Sequence, residues 1–193
     1  MELASYPFCE KFGWLNDRFG LSWQLALDKS RPQKVTPFFM FTGVQNGKAE
    51  EAVKFYVSQF ERAKINSIEK FGPGELGTEG TVKRAVFAID GQEFIAMDSS
   101  APHAFTFTPA LSLVAHCDTQ LEIDSLWKNL SDGGAEGHCG WLTDKFGVSW
   151  QIVPSILKDL MQGQDSKNPD QVMKALLKMS KLDIATLAAA NSV

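Results

Sequence analysis

The spacing of apolar and polar residues changes period repeatedly along this chain, and each change marks an element. Phe38 to Thr42 is a short apolar run of strand type. After Asn46-Gly47 the period lengthens. Ala49, Val53, Tyr56, Val57 and Phe60 fall on one helical face, while Glu50 and Lys54 are spaced to pair on the outside. Ala63 to Phe71 and Thr81 to Ile89 read as strands, and Asp90-Gly91 predicts a two-residue hairpin leading into Phe94 to Met97. The order is β-α-β-β-β.

A polar, Pro-bearing break at Ser99 to Pro109 follows, and the same order starts again. Ala110 to Cys117 is a strand. Asp118 or Thr119 caps a helix whose apolar face includes Leu121, Ile123, Leu126, Trp127 and Leu130, and Gly133-Gly134 ends it. An aromatic arch supplies the remaining strands. Further on, Asn168 caps and Pro169 opens a short amphipathic helix carrying Val172, Met173, Leu176, Leu177 and Met179, and Leu182 to Ala190 forms another.

The aromatic arch occurs twice. Gly13-Trp14-Leu15-Asn16-Asp17-Arg18-Phe19-Gly20-Leu21-Ser22-Trp23-Gln24 returns as Gly140-Trp141-Leu142-Thr143-Asp144-Lys145-Phe146-Gly147-Val148-Ser149-Trp150-Gln151, with nine positions identical. Two of the three exchanges, Arg18 for Lys145 and Leu21 for Val148, keep charge or apolar character, so duplication explains the match better than chance. Apolar residues flank an Asp-x-Phe-Gly turn, the grammar of a β-arch. Burying one Trp is worth at most about 4–6 kcal/mol, so these tryptophans are expected in a core. The expected organisation is an extra N-terminal arch over 1–30 duplicating 138–153, a main domain over 36–154 and a helical tail over 155–193, as though the first arch had closed a preceding copy. The apolar side chains of that first arch must then pack on this subunit or on its twin.

Composition narrows the functional classes. At 193 residues and 44% hydrophobic, the chain can bury one good core or two small halves packed together. Nineteen basic against 23 acidic residues give a net charge of −4, with no Lys/Arg block to neutralise a row of phosphates. Nucleic acid and membrane are therefore not expected partners, and a soluble, cytoplasmic protein is. Cys9, Cys117 and Cys139 make an odd count that fits reduced thiols. His116-Cys117 and His138-Cys139 raise the question of zinc. On strands, neighbouring side chains point to opposite faces, so each dipeptide offers one ligand at most and a closed four-ligand site is not expected.

The repeated β-α-β-β-β order, the segment Asn46 to Phe60, the Thr143-Asp144-Lys145-Phe146-Gly147-Val148-x-Trp150 arch and the tail Lys178-Met179-x-Lys181-Leu182-Asp183-Ile184-Ala185 carry a resemblance. Together they resemble the PhnB-like branch of the vicinal-oxygen-chelate, or glyoxalase/bleomycin-resistance, superfamily, over about Thr36 to Ala190. The resemblance implies an α+β fold in which paired βαβββ modules form a curved, cup-like mixed sheet with outer helices, usually in homodimers. Members of the branch are often labelled 3-demethylubiquinone-9 3-methyltransferase.

In metal-dependent relatives, His, Gln or Glu on the first and last strands of each half converge on one ion. The equivalent positions here fall near Phe41, Ser112 and Ile152, and two of these cannot ligate, so no metal and no cofactor are expected. His116 lies on the Ser112 face. The hairpin sets Arg84 opposite Met97 and Lys83 opposite Asp98, on opposite faces, so either Arg84 or Asp98 could enter the cup. Gly72-Pro73-Gly74-Glu75-Leu76-Gly77 has the letters of a dinucleotide loop but leads into a β-branched segment and carries an acid, so neither a nucleotide nor S-adenosylmethionine is expected there. The candidate ligand-binding residues are His116, Trp141, Trp150, Met97 and Arg84, around a small, apolar or aromatic ligand. Whether any reaction follows is open: the alternatives are a pure sequestering module and the methyltransferase of the family label.

Overall fold

Three strands at the front of the chain, Ala4–Tyr6 (β1), Cys9–Asn16 (β2) and Ser22–Ala26 (β3), form an antiparallel sheet in the order β1-β2-β3. The computed structural model describes residues 1–28, 33–163 and 166–192 and divides into two units, Met1–Thr36 and Pro37–Val193. Pairing in the first unit sets Leu15 beside Trp23 and Gly13 beside Leu25 on one face, with Trp14 beside Gln24 and Phe12 beside Ala26 on the other. Asp28 to Lys34, the expected linker with its Pro32, lies partly outside the described residues.

The second unit opens with Phe38–Phe41 (β4), a 3₁₀ turn at Gly43–Gln45, and Ala49–Gln59 (α1). Ala63–Lys70 (β5), Val82–Ile89 (β6) and Gln92–Asp98 (β7) complete a sheet in the order β4-β7-β6-β5, with β4 parallel to β7. Ser112–Cys117 (β8), Gln120–Ser131 (α2), Ala135–Glu136 (β9), Trp141–Thr143 (β10) and Ser149–Pro154 (β11) then repeat the plan, in the order β8-β11-β10-β9, with β8 parallel to β11. The fold is thus α+β, built from two βαβββ modules.

Local chemistry explains the elements. Asp90 and Gly91 take φ of 49° and 82°, the left-handed pair that a two-residue hairpin of matching twist requires. Thr119, not Asp118, caps α2, and Glu122 closes a capping box with it. Ile123, Leu126, Trp127 and Leu130 are buried at helical spacing, whereas Leu121, expected with them, is exposed because it lies about 200° around the helix from Ile123.

One apolar cluster joins the two modules. Phe39, Phe41, Tyr56 and Phe87 of the first pack with Ile123, Trp127, Phe146 and Trp150 of the second. The C-terminal segment holds three helices, Leu157–Gln162 (α3), Pro169–Leu176 (α4) and Ile184–Asn191 (α5), around Leu160, Val172, Leu182 and Leu187. The first of these is too short to show a period in sequence. Asn168 makes no side-chain cap; the amides of Lys167 and Asn168 donate instead to Asn191 Oδ1. Met173 and Leu177 are exposed, not buried as their spacing suggests. Among the described residues, no helix is long and apolar enough to cross a membrane.

Candidate functional site

Strand alternation divides each sheet into a helix-covered face and an outer face. In the first module, Phe39, Phe41, Ala85, Phe87 and Ala96 belong to the core. Their neighbours face the other way: Phe38 pairs with Ile95, Met40 with Met97, and Val86 with Ile95. The pair Ala85–Ala96 puts Arg84 opposite Met97 one step on, so these two half-buried side chains share the outer face.

In the second module, Ser112, Val114 and His116 of β8 align with Ser149, Gln151 and Val153 of β11, and Trp141 pairs with Gln151. The outer face therefore carries Trp141, half-buried, and His116, exposed, around Gln151, whose Nε2 donates to Ser112 Oγ at 2.8 Å. Gln151 was not among the sequence candidates. Its position next to a core tryptophan on an alternating strand is the signal that would have found it.

Trp150 is placed elsewhere. It is buried in the core, 5.4 Å from the Tyr56 ring and 6.1 Å from that of Phe60, and Nε1 donates to Asp144 Oδ2 at 2.8 Å. Phe41 and Ile152, expected at cup positions, are also fully buried on the helix side, and the Phe41 ring meets Phe107 and Phe146. The register is shifted by one residue, so the outward positions are Met40 and Gln151, with Ser112. Among the described residues, no three His, Cys, Asp or Glu side chains gather closely enough to hold a metal ion.

Asp98 neither lines the outer face nor sits in water. It is buried, with Oδ1 accepting from Gly47 N at 2.7 Å and Ala49 N at 3.1 Å and Oδ2 from Val82 N at 2.8 Å, so it ties the start of α1 to β6. Lys83 pairs with Glu75 and Glu69 at 2.8 and 3.1 Å. In the Gly72–Gly77 loop, Glu75 Oε2 takes the Gly72 amide at 2.8 Å, the donor a phosphate would need, and the chain continues into β6.

His138-Cys139 lies in a turn, not on a strand as the zinc argument assumed, with Cys139 at φ 57° and its amide donating to Met179 O at 2.7 Å. Gly140 beside it needs to be glycine: φ is 83°, and a Cβ would come 2.6 Å from Ile152 O. Burial pushes the Cys117 thiol up to about 11, with Glu122 and Asp118 adding to the effect, so it is not an activated nucleophile.

The arch itself is fastened by Asp144. Oδ1 accepts from the Phe146 and Val148 amides at 2.9 and 3.0 Å, and Oδ2 accepts from Trp150 Nε1 and Tyr56 Oη, both at 2.8 Å. Burial holds this carboxyl above the ordinary Asp value although all four donors pull it down, and burial likewise raises Tyr56.

Residues 33–153 match the model of the family described as 3-demethylubiquinone-9 3-methyltransferase. The chain belongs to this PhnB-like family. Within the family's structures, a PhnB protein from Bacillus cereus is 44% identical, covering 64% of this chain and 100% of its own, with a TM-score of 0.60. A protein from Pseudomonas aeruginosa, 20% identical over 62% of this chain and 96% of its own, shares the fold at a TM-score of 0.54. A glyoxalase/bleomycin resistance protein/dioxygenase from Alicyclobacillus acidocaldarius is 12% identical over 62% of this chain and 90% of its own, with a TM-score of 0.35. No curated protein matches.

Proposed function

We propose that this PhnB-like protein binds a small apolar or aromatic molecule against the outer strand faces of its modules, without a metal ion, in a cytoplasmic homodimer. The observation that carries this reading is the strand register. It leaves Phe38, Met40, Ile95 and Met97 as apolar wall with Arg84 beside them, and Trp141 with Gln151, Ser112 and His116 on the corresponding face of the second module. Apolar walls with a few fixed polar groups are the composition of small-molecule sites. A metal finds poor support: the outward positions Met40, Ser112 and Gln151 bring no carboxylate or thiolate.

Methyl transfer, which the family name suggests, needs a place for S-adenosylmethionine. The one Gly-rich loop of the expected letters is filled by its own Glu75. Ligand binding is therefore the primary reading, with any reaction unassigned and a pure sequestering module as the alternative.

Methyl-labelled methionine spectra test the site. On titration with 1,4-naphthoquinone, a quinone-like aromatic probe, the Met40 and Met97 signals should move saturably while Met173 of α4 stays fixed. Uniform small shifts, or none, would remove the site from these faces.

A further inference from the structure

The C-terminal helices hold a groove of about 460 Å³ between α4 and α5, lined by none of the residues of the outer strand faces. Ala175, Met179 and Ala190 are half-buried and make its floor, while Gln171, Lys174 and Lys178 stand exposed along the rim. The α4 side of the groove runs past the end of the helix. Leu177 N donates to Met173 O, Lys178 N to Ala175 O and Met179 N to Leu176 O, so the turn after α4 stays helical. Gln171, Lys174 and Lys178, three and four residues apart, therefore share one side.

The groove is a fixed shape. Val172 and Leu187 of its two helices are fully buried in one cluster with Leu160 and Leu182. The turn is held to the second module by Cys139 N donating to Met179 O at 2.7 Å and Gly140 N to Ser180 O at 2.8 Å, and Asn191 Oδ1 ties α5 to the start of α4. Its charge has one sign. No Asp or Glu lines it, and among the described residues neither Lys174 nor Lys178 is paired with a carboxylate. Asp183, at the start of α5, is engaged by the Thr186 amide at 2.7 Å, and the neighbouring Lys181 is paired with Asp124 at 2.6 Å.

We infer that this groove binds an anionic amphiphile, a single apolar chain with an acidic head, of which a fatty carboxylate is the simplest. The chain lies on Ala175, Met179 and Ala190, and the head meets the ammonium groups of Lys174 and Lys178. Two alanines leave room for a narrow chain, and the flexible thioether of Met179 adapts to its length. Two lysines on flexible stems take a charged head as point charges, without demanding the planar geometry that arginine would. The volume is that of a small-molecule site and too small for a helix of a partner protein. This site is independent of the aromatic ligand placed on the strand faces.

Methyl-labelled methionine spectra of the full chain decide it, with dodecanoate below its micelle concentration as the probe. The Met179 signal should move saturably, and that of Met173, which does not line the groove, should stay fixed. Decanoate, two methylenes shorter, should bind about tenfold more weakly. Dodecyltrimethylammonium, with the same chain and the opposite charge, should leave Met179 unmoved. Lys174→Gln combined with Lys178→Gln removes two exposed charges and should weaken dodecanoate about fivefold or more. Ala175→Leu, a good helix former that fills the groove, should abolish binding at an unchanged melting temperature; should that variant not fold, the lysine pair decides alone. An unmoved Met179, an equal response to the ammonium amphiphile, or equal affinity in the lysine variant would each overturn the inference. So would movement of Met40 and Met97 alone, which would assign the chain to the strand faces instead.

Discussion

Tyr56 and Asp144 are 88 residues apart in sequence and meet through a 2.8 Å hydrogen bond that ties the helix of the first module to the arch of the second. The bond is one of four on a carboxylate that the core encloses, and it is the one that spans the modules. In the same Asp-x-Phe-Gly turn of the first unit Asp17 is half-buried, and the Trp23 indole foremost, with the Phe19, Leu21 and Gly20 amides, holds its carboxyl below the usual value. Matching local bonds thus give opposite displacements, because burial is the largest influence at Asp144, whereas at Asp17 it yields to the hydrogen bonds, that from Trp23 foremost.

Tyr56→Phe deletes one donor from this cluster and leaves the buried Oδ2 with Trp150 alone. A loss of about 1–3 kcal/mol is expected in urea unfolding, the cost of a buried acceptor losing its partner. A change below about 0.5 kcal/mol would show that the modules are joined by apolar packing and not through this bond.

Stability should carry the Asp144 titration. A folded value above the ordinary 3.8 means that the native state binds the proton more tightly than the unfolded chain. The contribution is full below 3.8 and is lost as pH rises through the folded value. The stability of the parent relative to Asp144→Asn should therefore fall as pH rises from about 4 towards neutrality. Glu50, drawn down to about 2 by Lys54 and then Lys70, has the opposite sign, its contribution present above 4.5 and lost as pH falls towards 2, but it is common to both proteins and cancels. A flat or rising difference between the two would contradict the burial of Asp144.

Thiol modification should rank the cysteines by surroundings. At pH 8, Cys117, with its thiol near 11, should react with a disulfide reagent only on unfolding, after Cys9 and Cys139, which are half-buried. Modification of Cys117 at the rate of the other two would mean that β8 opens readily.

Much of this architecture was legible from period alone. The hairpin at Asp90-Gly91, the buried faces of α1 and α2 and the repeated strand order follow from positions that local sterics and burial both favour. The site was less so. Alternation says that Trp150 and Gln151 point to opposite faces, but which face meets the helices depends on packing between distant elements, and this is why Phe41, Trp150 and Ile152 turned inward while Gln151 turned out. Asp98 misled for a related reason: a strand-end acid looks solvated until the three amides it gathers, from Gly47, Ala49 and Val82, come together in space.

S-adenosylmethionine should give no saturable heat in calorimetry at physiological concentrations. The Gly72 amide is occupied, and Glu75 is held ionised by Lys83 foremost and by that amide. Micromolar binding would restore methyl transfer and show that the donor enters elsewhere.

The most direct test of the binding account is a calorimetric titration of 1,4-naphthoquinone into the parent and into Trp141→Ala. Trp141 is half-buried on the outer face of β10 and makes no part of the buried apolar cluster, so its loss should leave the fold intact. Saturable binding to the parent, weakened by about tenfold in Trp141→Ala at unchanged melting temperature, is the result expected of an aromatic wall of the site. No binding to the parent, or the same affinity in both proteins, would contradict the placement of a ligand on this face.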